Sequence, residues 1–138
     1  MREILFRGKR LDNGEWVQGF FNKWAVYDES ENNYHHYIQP LDENGRLDII
    51  RRVHPATVGQ FIGLTDQNGT NIFEGDIVSC RTSAYFFEKC KVVYESCYAR
   101  YCLIDKHGYK YPMDESFEYE IIGNIYDNPE LLEGNDDV

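Results

Sequence analysis

Four times along this 138-residue chain, a run of apolar and aromatic residues is cut by an aspartate that leads within three residues to a glycine: Leu11-Asp12-Asn13-Gly14, Leu41-Asp42-Glu43-Asn44-Gly45, Thr65-Asp66-Gln67-Asn68-Gly69 and Ile104-Asp105-Lys106-His107-Gly108. An Asp or Asn side-chain oxygen can accept a hydrogen bond from the backbone two residues on. The glycine then takes the positive φ that other residues adopt only with strain. This is the chemistry of hairpin corners. Four corners spaced along so short a chain predict an antiparallel, meander-like sheet and leave little room for helix.

The flanks agree. Ile4-Leu5-Phe6-Arg7 and Glu15 to Phe21 surround the first corner, while Gln60-Phe61-Ile62-Gly63-Leu64 and Thr70-Asn71-Ile72-Phe73 surround the third. A second tight glycine corner, Phe73-Glu74-Gly75-Asp76, feeds the apolar start Ile77-Val78. Residues 91–94, 99–104 and 118–126 read as further strands, rich in β-branched and aromatic types. Aromatic residues form 15% of the chain, which suits pleated, half-buried surfaces. The expected fold class is mostly β, with short strands closing into a small barrel or roll. Helix is expected only as brief turns: one after Asn128, read as an N-cap, with Pro129 at the first helical position, and another near His54 to Gln60. Asp28 to Asn33 reads as an exposed loop. Residues 81–90 show neither strict alternation nor a helical stripe and carry no assignment. A soft boundary near Arg52 separates a β-rich part, 1–52, from a barrel part with an acidic end, 53–138.

Charge sharpens the reading. The chain holds 14 Lys and Arg against 24 Asp and Glu, so 14 − 24 gives −10. Nine of the acids and none of the bases lie in residues 114–138, which leaves −1 for the first 113. A polyanionic end repels phosphate and counts against unselective binding of duplex DNA. Its natural partners are basic protein surfaces, and its other use is solubility. Lys9-Arg10 and Arg51-Arg52 are short basic pairs, read as solvated charges or internal partners for that end. No apolar run reaches the roughly 18 residues that a bilayer span needs. The first residues lack a signal-peptide pattern, so the expected location is the cytoplasm.

Residues that could carry chemistry have structural readings. Cys80, Cys90, Cys97 and Cys102 include no Cys-x-x-Cys pair of the kind that grips zinc, and in a reducing compartment they read as free, mostly buried thiols. His35 and His36 are adjacent and fall on opposite faces of any strand, His107 lies in a corner, and His54 precedes a proline. Surface or edge roles account for all four. Asp66-x-Asn68-Gly69 opens like a calcium loop, but its glycine comes too early and no bidentate Glu follows at the required spacing. Nucleophile elbows, phosphate loops and zinc-protease motifs are absent from the sequence. No catalytic, cofactor or metal residues are therefore assigned, and the expectation is a protein that is not an enzyme.

Three blocks together resemble the YopX family of bacteriophage and prophage proteins: Met1 to Arg7, Val53 to Gly69 running into Ile72-Phe73-Glu74-Gly75-Asp76-Ile77-Val78, and Ile121 to Leu132. They span nearly the whole chain, whereas 21–50 and 79–117 carry no block. The resemblance implies an SH3-like barrel or roll in the C-terminal part and synthesis inside a bacterial host, and it carries over no catalytic residue. Gly59, Gly63, Asp66, Asn68, Gly69, Glu74, Gly75 and Asp76 are read as structural turn residues, with Gln60 and Glu74 as the two that could face a partner. Two functions remain: a protein-interaction or self-assembling module, and an accessory protein that binds nucleic-acid single strands through Tyr98, Tyr101 and Tyr109.

Overall fold

The computed structural model describes residues 3–27 and 32–133. Two compact units divide the chain, Met1–Phe61 and Ile62–Val138. The division falls inside a strand, beyond the boundary expected near Arg52.

The first unit contains β1 (Phe6–Lys9), β2 (Trp16–Tyr27), β3 (Asn32–Gln39), β4 (Arg51–Val53), a 3₁₀ turn (Pro55–Thr57) and the opening of β5 (Gly59–Thr65). They pair antiparallel in the order β4-β3-β2-β1-β5. The first corner sets β1 against β2, with Phe6 opposite Gly19 and Lys9 opposite Trp16. At that corner Asn13 does what the other corners assign to aspartate: its Oδ1 accepts the Glu15 N–H at 2.9 Å. Asp12 instead clasps the Arg10 guanidinium at 2.8 and 2.6 Å. On the core side Phe6 stacks on Phe21, which in turn meets His36, while Ile38 and Val53 are fully buried. The loop expected over Asp28 to Asn33 ends sooner, because Asn32 and Asn33 already pair with Tyr27 and Val26. Residues 28–31 lie outside the described residues.

The second unit holds the rest of β5, then β6 (Asn71–Phe73), β7 (Asp76–Arg81), β8 (Phe86–Glu95), β9 (Arg100–Asp105), β10 (Lys110–Pro112), β11 (Glu118–Asn124) and a 3₁₀ turn (Pro129–Leu132). Five strands form an antiparallel sheet in the order β10-β9-β8-β7-β11. Strands β10 and β11 stand at its two edges, so among the described residues this sheet is open. Of the barrel or roll expected, the described residues do not form a closed barrel, while the mostly β, antiparallel fold stands. The remaining corners share one device. Asp42, Asp66 and Asp105 each offer Oδ1 to the N–H groups two and four residues on, at 2.8 to 3.0 Å. Gly45, Gly69 and Gly108 follow with φ of +77, +80 and +87°.

The core of this unit is Ile62, Ile72, Val78, Cys80, Cys90, Val92, Leu103 and Tyr119. Each fully buried aliphatic side chain there contributes roughly 1.5–3 kcal/mol. Asp66 and Asp76 are buried beside it as backbone acceptors. Asp76 Oδ2 takes the Phe73 N–H at 2.8 Å, closing the Glu74-Gly75 corner. Gly75 has φ +89°, and a Cβ there would meet the Tyr126 ring at 3.0 Å. Gly75→Val is accordingly expected to cost about 1–3 kcal/mol in chemical denaturation. A loss within 0.3 kcal/mol would mean that neither the strain nor the contact matters.

Burial pushes the Cys80 thiol up to about 11 and the Cys90 thiol up to about 12, from an ordinary value of 9.0. The sign follows from linkage. Below about pH 9 both folded and unfolded chains keep these protons; above it only the unfolded chain releases them, so stability falls as pH rises through this range. Urea midpoints measured from pH 7 to 10.5 should hold steady and then drop beyond about 9. A Cys90→Val variant should flatten the drop. An identical drop in that variant would remove the thiol from the account.

No helix among the described residues is long and apolar enough to cross a membrane.

Candidate functional site

Residues 81–90 escaped assignment in the sequence for a geometric reason. Val78 pairs with Cys90 and Cys80 pairs with Phe87, so β7 places Ser79 alone where β8 places both Glu88 and Lys89. This is a β-bulge. The extra residue breaks the two-residue period, which lets Phe87 and Cys90, three apart, both turn to the core. Phe86 is left 55% exposed, with the Arg81 guanidinium 5.0 Å from its ring centre. Phe87 packs on Tyr111 at 4.3 Å and lies 6.2 Å from Tyr85.

The bulged segment forms one wall of a cleft of about 450 Å³. That volume lies within the roughly 300–1,000 Å³ range of ligand sites. The fourth corner supplies a second wall with Asp105, Lys106 and His107, and the terminal 3₁₀ turn brings Leu131 and Glu133. Asn124 builds the approach to that turn. Its Oδ1 accepts the Tyr126 and Asp127 N–H groups at 3.0 and 2.9 Å. Asn128, expected as an N-cap, has no capping bond and instead accepts the Asn124 N–H at 3.2 Å. A Cβ at Gly123 would lie 2.6 Å from Asn128 Oδ1 and 2.9 Å from Leu131 Cδ1, so a larger residue there would push these two side chains aside.

Cys90, Asp105 and His107 meet at this cleft, a set that resembles a nucleophile, an orienting acid and a base. Their environments give them other roles. Cys90 is 1% exposed, and burial, reinforced by the charge of Asp105, holds its thiol at about 12, far from the thiolate that attack requires. Burial would raise the Asp105 carboxyl, but the Tyr111 hydroxyl at 2.8 Å and the Tyr109 and His107 N–H groups keep it below its ordinary value. Both its oxygens are therefore occupied, and the carboxylate orients the corner. What the cleft offers is mixed: the apolar and aromatic side chains of Phe86, Phe87 and Leu131 beside the charged ones of Glu88, Lys89, Lys106 and Glu133. That combination suits recognition by contact.

The turn residues singled out in the sequence lie elsewhere. Gly63, Gly69 and Gly75 have positive φ, whereas Gly59 does not; Gly59 is a buried strand residue opposite Arg7. Asp66 secures its corner and reaches the Ile121 N–H at 3.4 Å, and Asn68 donates its backbone N–H to that same aspartate. Gln60 and Glu74 are half-buried and already interact within the chain; neither lines the cleft. Tyr98 and Tyr109 are well exposed, and Tyr101 is half-buried against Tyr94. Arg100 and Lys110, beside them in sequence, both engage Glu95, at 3.0 and 2.7 Å. Arg51 and Arg52 line a separate groove of the first unit with Leu11 and Asp12. Cys97 is exposed, while Cys80, Cys90 and Cys102 are buried, all four as free thiols. Among the described residues, no cluster of three or more His, Cys, Asp or Glu is arranged to hold a metal ion.

A family model described as YopX protein matches residues 5–133. Among solved structures, protein EF1440 from Enterococcus faecalis is similar at 22% identity, covering 96% of this chain and 99% of that one with a TM-score of 0.48. No curated protein matches the chain.

Proposed function

The chain belongs to the YopX family, and on that premise we propose that it is a non-enzymatic protein-interaction module whose working surface is the cleft beside the β8 bulge. The observation that carries this reading is Phe86, a large aromatic ring left more than half exposed on a sheet by the bulge, at the margin of a cleft lined by both apolar and charged side chains. Aromatic anchors next to a pocket are the features that concentrate binding energy in protein interfaces. Bulges are over-represented at sheet edges and next to functional sites, where they re-aim a side chain. The raised Cys90 pKa and the occupied Asp105 carboxylate support binding over covalent catalysis.

The protein is, on this reading, made in the bacterial cytoplasm from phage or prophage DNA, as its family resemblance implies. Single-strand binding through Tyr98, Tyr101 and Tyr109 is the weaker alternative, because Arg100 and Lys110 are committed to Glu95. Affinity capture from phage-bearing cells, run in parallel with wild-type protein and Phe86→Ala, tests the proposal. A protein retained by the wild type and lost with Phe86→Ala is the expected result. Identical captures with both baits would overturn the assignment of the surface, and recovery of nuclease-sensitive material alone would favour the single-strand reading.

A further inference from the structure

The class of partner can be read from the cleft's charge and from the hydrogen bonds it has left to offer. This step rests on the proposed function and deepens it. The second unit carries 15 Asp and Glu against 6 Lys and Arg, so 6 − 15 gives −9, while the first unit has 9 acids and 8 bases, a net of −1. At the cleft itself Glu88, Asp105 and Glu133 stand against Lys89 and Lys106. Two further acids, Asp136 and Asp137, follow Glu133 in sequence.

A field of this sign draws in cations and raises their encounter rate. Phe86 already accepts a guanidinium on its ring, that of Arg81 at 5.0 Å, so its π-system is of the kind that binds cations. At the inner wall Asp105 has both oxygens taken by its own corner, so the charged groups left to face a ligand lie at the cleft's margin. The recognition elements the inference uses are the apolar surfaces of Phe86, Phe87 and Leu131 and the carboxylates of Glu88 and Glu133, which stand beside Lys89 and Lys106 in the lining.

We infer that the cleft takes a short cationic segment of a partner protein, with an apolar or aromatic residue seated against Phe86, Phe87 and Leu131 and lysine or arginine on either side. Entry of the apolar residue supplies contact energy, and the flanking cations supply orientation and on-rate. Duplex and single-stranded nucleic acids are the wrong sign for this surface.

Fluorescence anisotropy on the full chain tests the inference with three labelled hexapeptides: a Trp-Leu pair flanked on both sides by two lysines, the same pair flanked by two glutamates, and an Ala-Ala pair flanked by two lysines. The lysine-flanked Trp-Leu peptide is expected to bind tightest, with about tenfold loss on Phe86→Ala, a severalfold loss on Glu88→Lys and marked weakening by salt. Both substituted residues are exposed, so the variants keep the fold. Equal or tighter, Phe86-dependent binding of the glutamate-flanked peptide would overturn the inferred partner class while leaving the cleft as the binding surface. Should no peptide depend on Phe86, both this inference and the proposed surface fall. If the lysine-flanked peptides bind alike and lose affinity only when Asp136 and Asp137 become Asn, the attraction belongs to the chain end and the inference is overturned.

Discussion

Gly19→Ala will lower the stability of the first unit by about 3 kcal/mol. Gly19 sits in β2 opposite Phe6, one residue before the Phe20–Gln39 pair that starts the β2–β3 ladder. A Cβ at this position would overlap the Gln39 carbonyl oxygen and lie 2.6 and 2.8 Å from Gln39 C and Pro40 Cα. These are backbone atoms, so no rotamer change relieves the clash, and the ladder must shift. Gly14→Ala is the control. That corner glycine has φ +73° and open space around its missing side chain, so it should cost about 1 kcal/mol through strain alone. Both tryptophans, Trp16 and Trp24, lie in this unit, so their fluorescence in a urea titration reads the difference directly. Equal losses for the two variants would show that Gln39 can move aside.

Tyr119→Ala will cost the second unit about 3–5 kcal/mol. Tyr119 is 2% exposed and belongs to the core cluster. Its carbonyl accepts the Gln67 N–H at 2.8 Å, which ties the third corner to β11. Its hydroxyl donates to the Asp114 carbonyl at 3.0 Å and accepts the Asp114 N–H at 2.9 Å. Tyr119→Phe removes only the hydroxyl and should cost about 1–2 kcal/mol. All four thiols are in this unit and three are buried, so thiol-labelling rates report its opening. One fast thiol, Cys97, and three slow ones are expected in the wild type, with the slow three accelerated far more in Tyr119→Ala than in Tyr119→Phe. Equal acceleration would place the side chain's contribution in the hydroxyl and not in its burial.

The corners were legible because their chemistry is local. An aspartate, its own backbone and a glycine three residues on fix the geometry within five residues, and Asp42, Asp66 and Asp105 repeat it with nearly the same bond lengths. Strand β3 was not legible. Its Asn-Asn-Tyr-His-His run has weak strand propensity, and its place comes from the long ladder with β2. Whether the second sheet closes depends on how its edge strands approach each other, which neighbouring residues do not encode. The cleft was invisible for two reasons. Its central segment is a bulge, which removes the alternation that marks a strand, and its walls come from three separated stretches. His107 and Asp105 were read correctly as corner residues, yet only the register of β8 against β9, with Cys90 opposite Asp105, brings them to the cleft.

The central claim is that the chain acts by binding a protein at the β8 cleft. Site-specific photo-crosslinking compares three exposed aromatic positions: Phe86 at the cleft, Trp24 on the β2–β3 hairpin and Tyr98 before β9. Each is replaced in turn by a photoreactive phenylalanine analogue and irradiated in phage-bearing cells. The account predicts a discrete protein adduct from position 86 and none of comparable yield from 24 or 98. Adducts from 24 or 98 with none from 86 would contradict it.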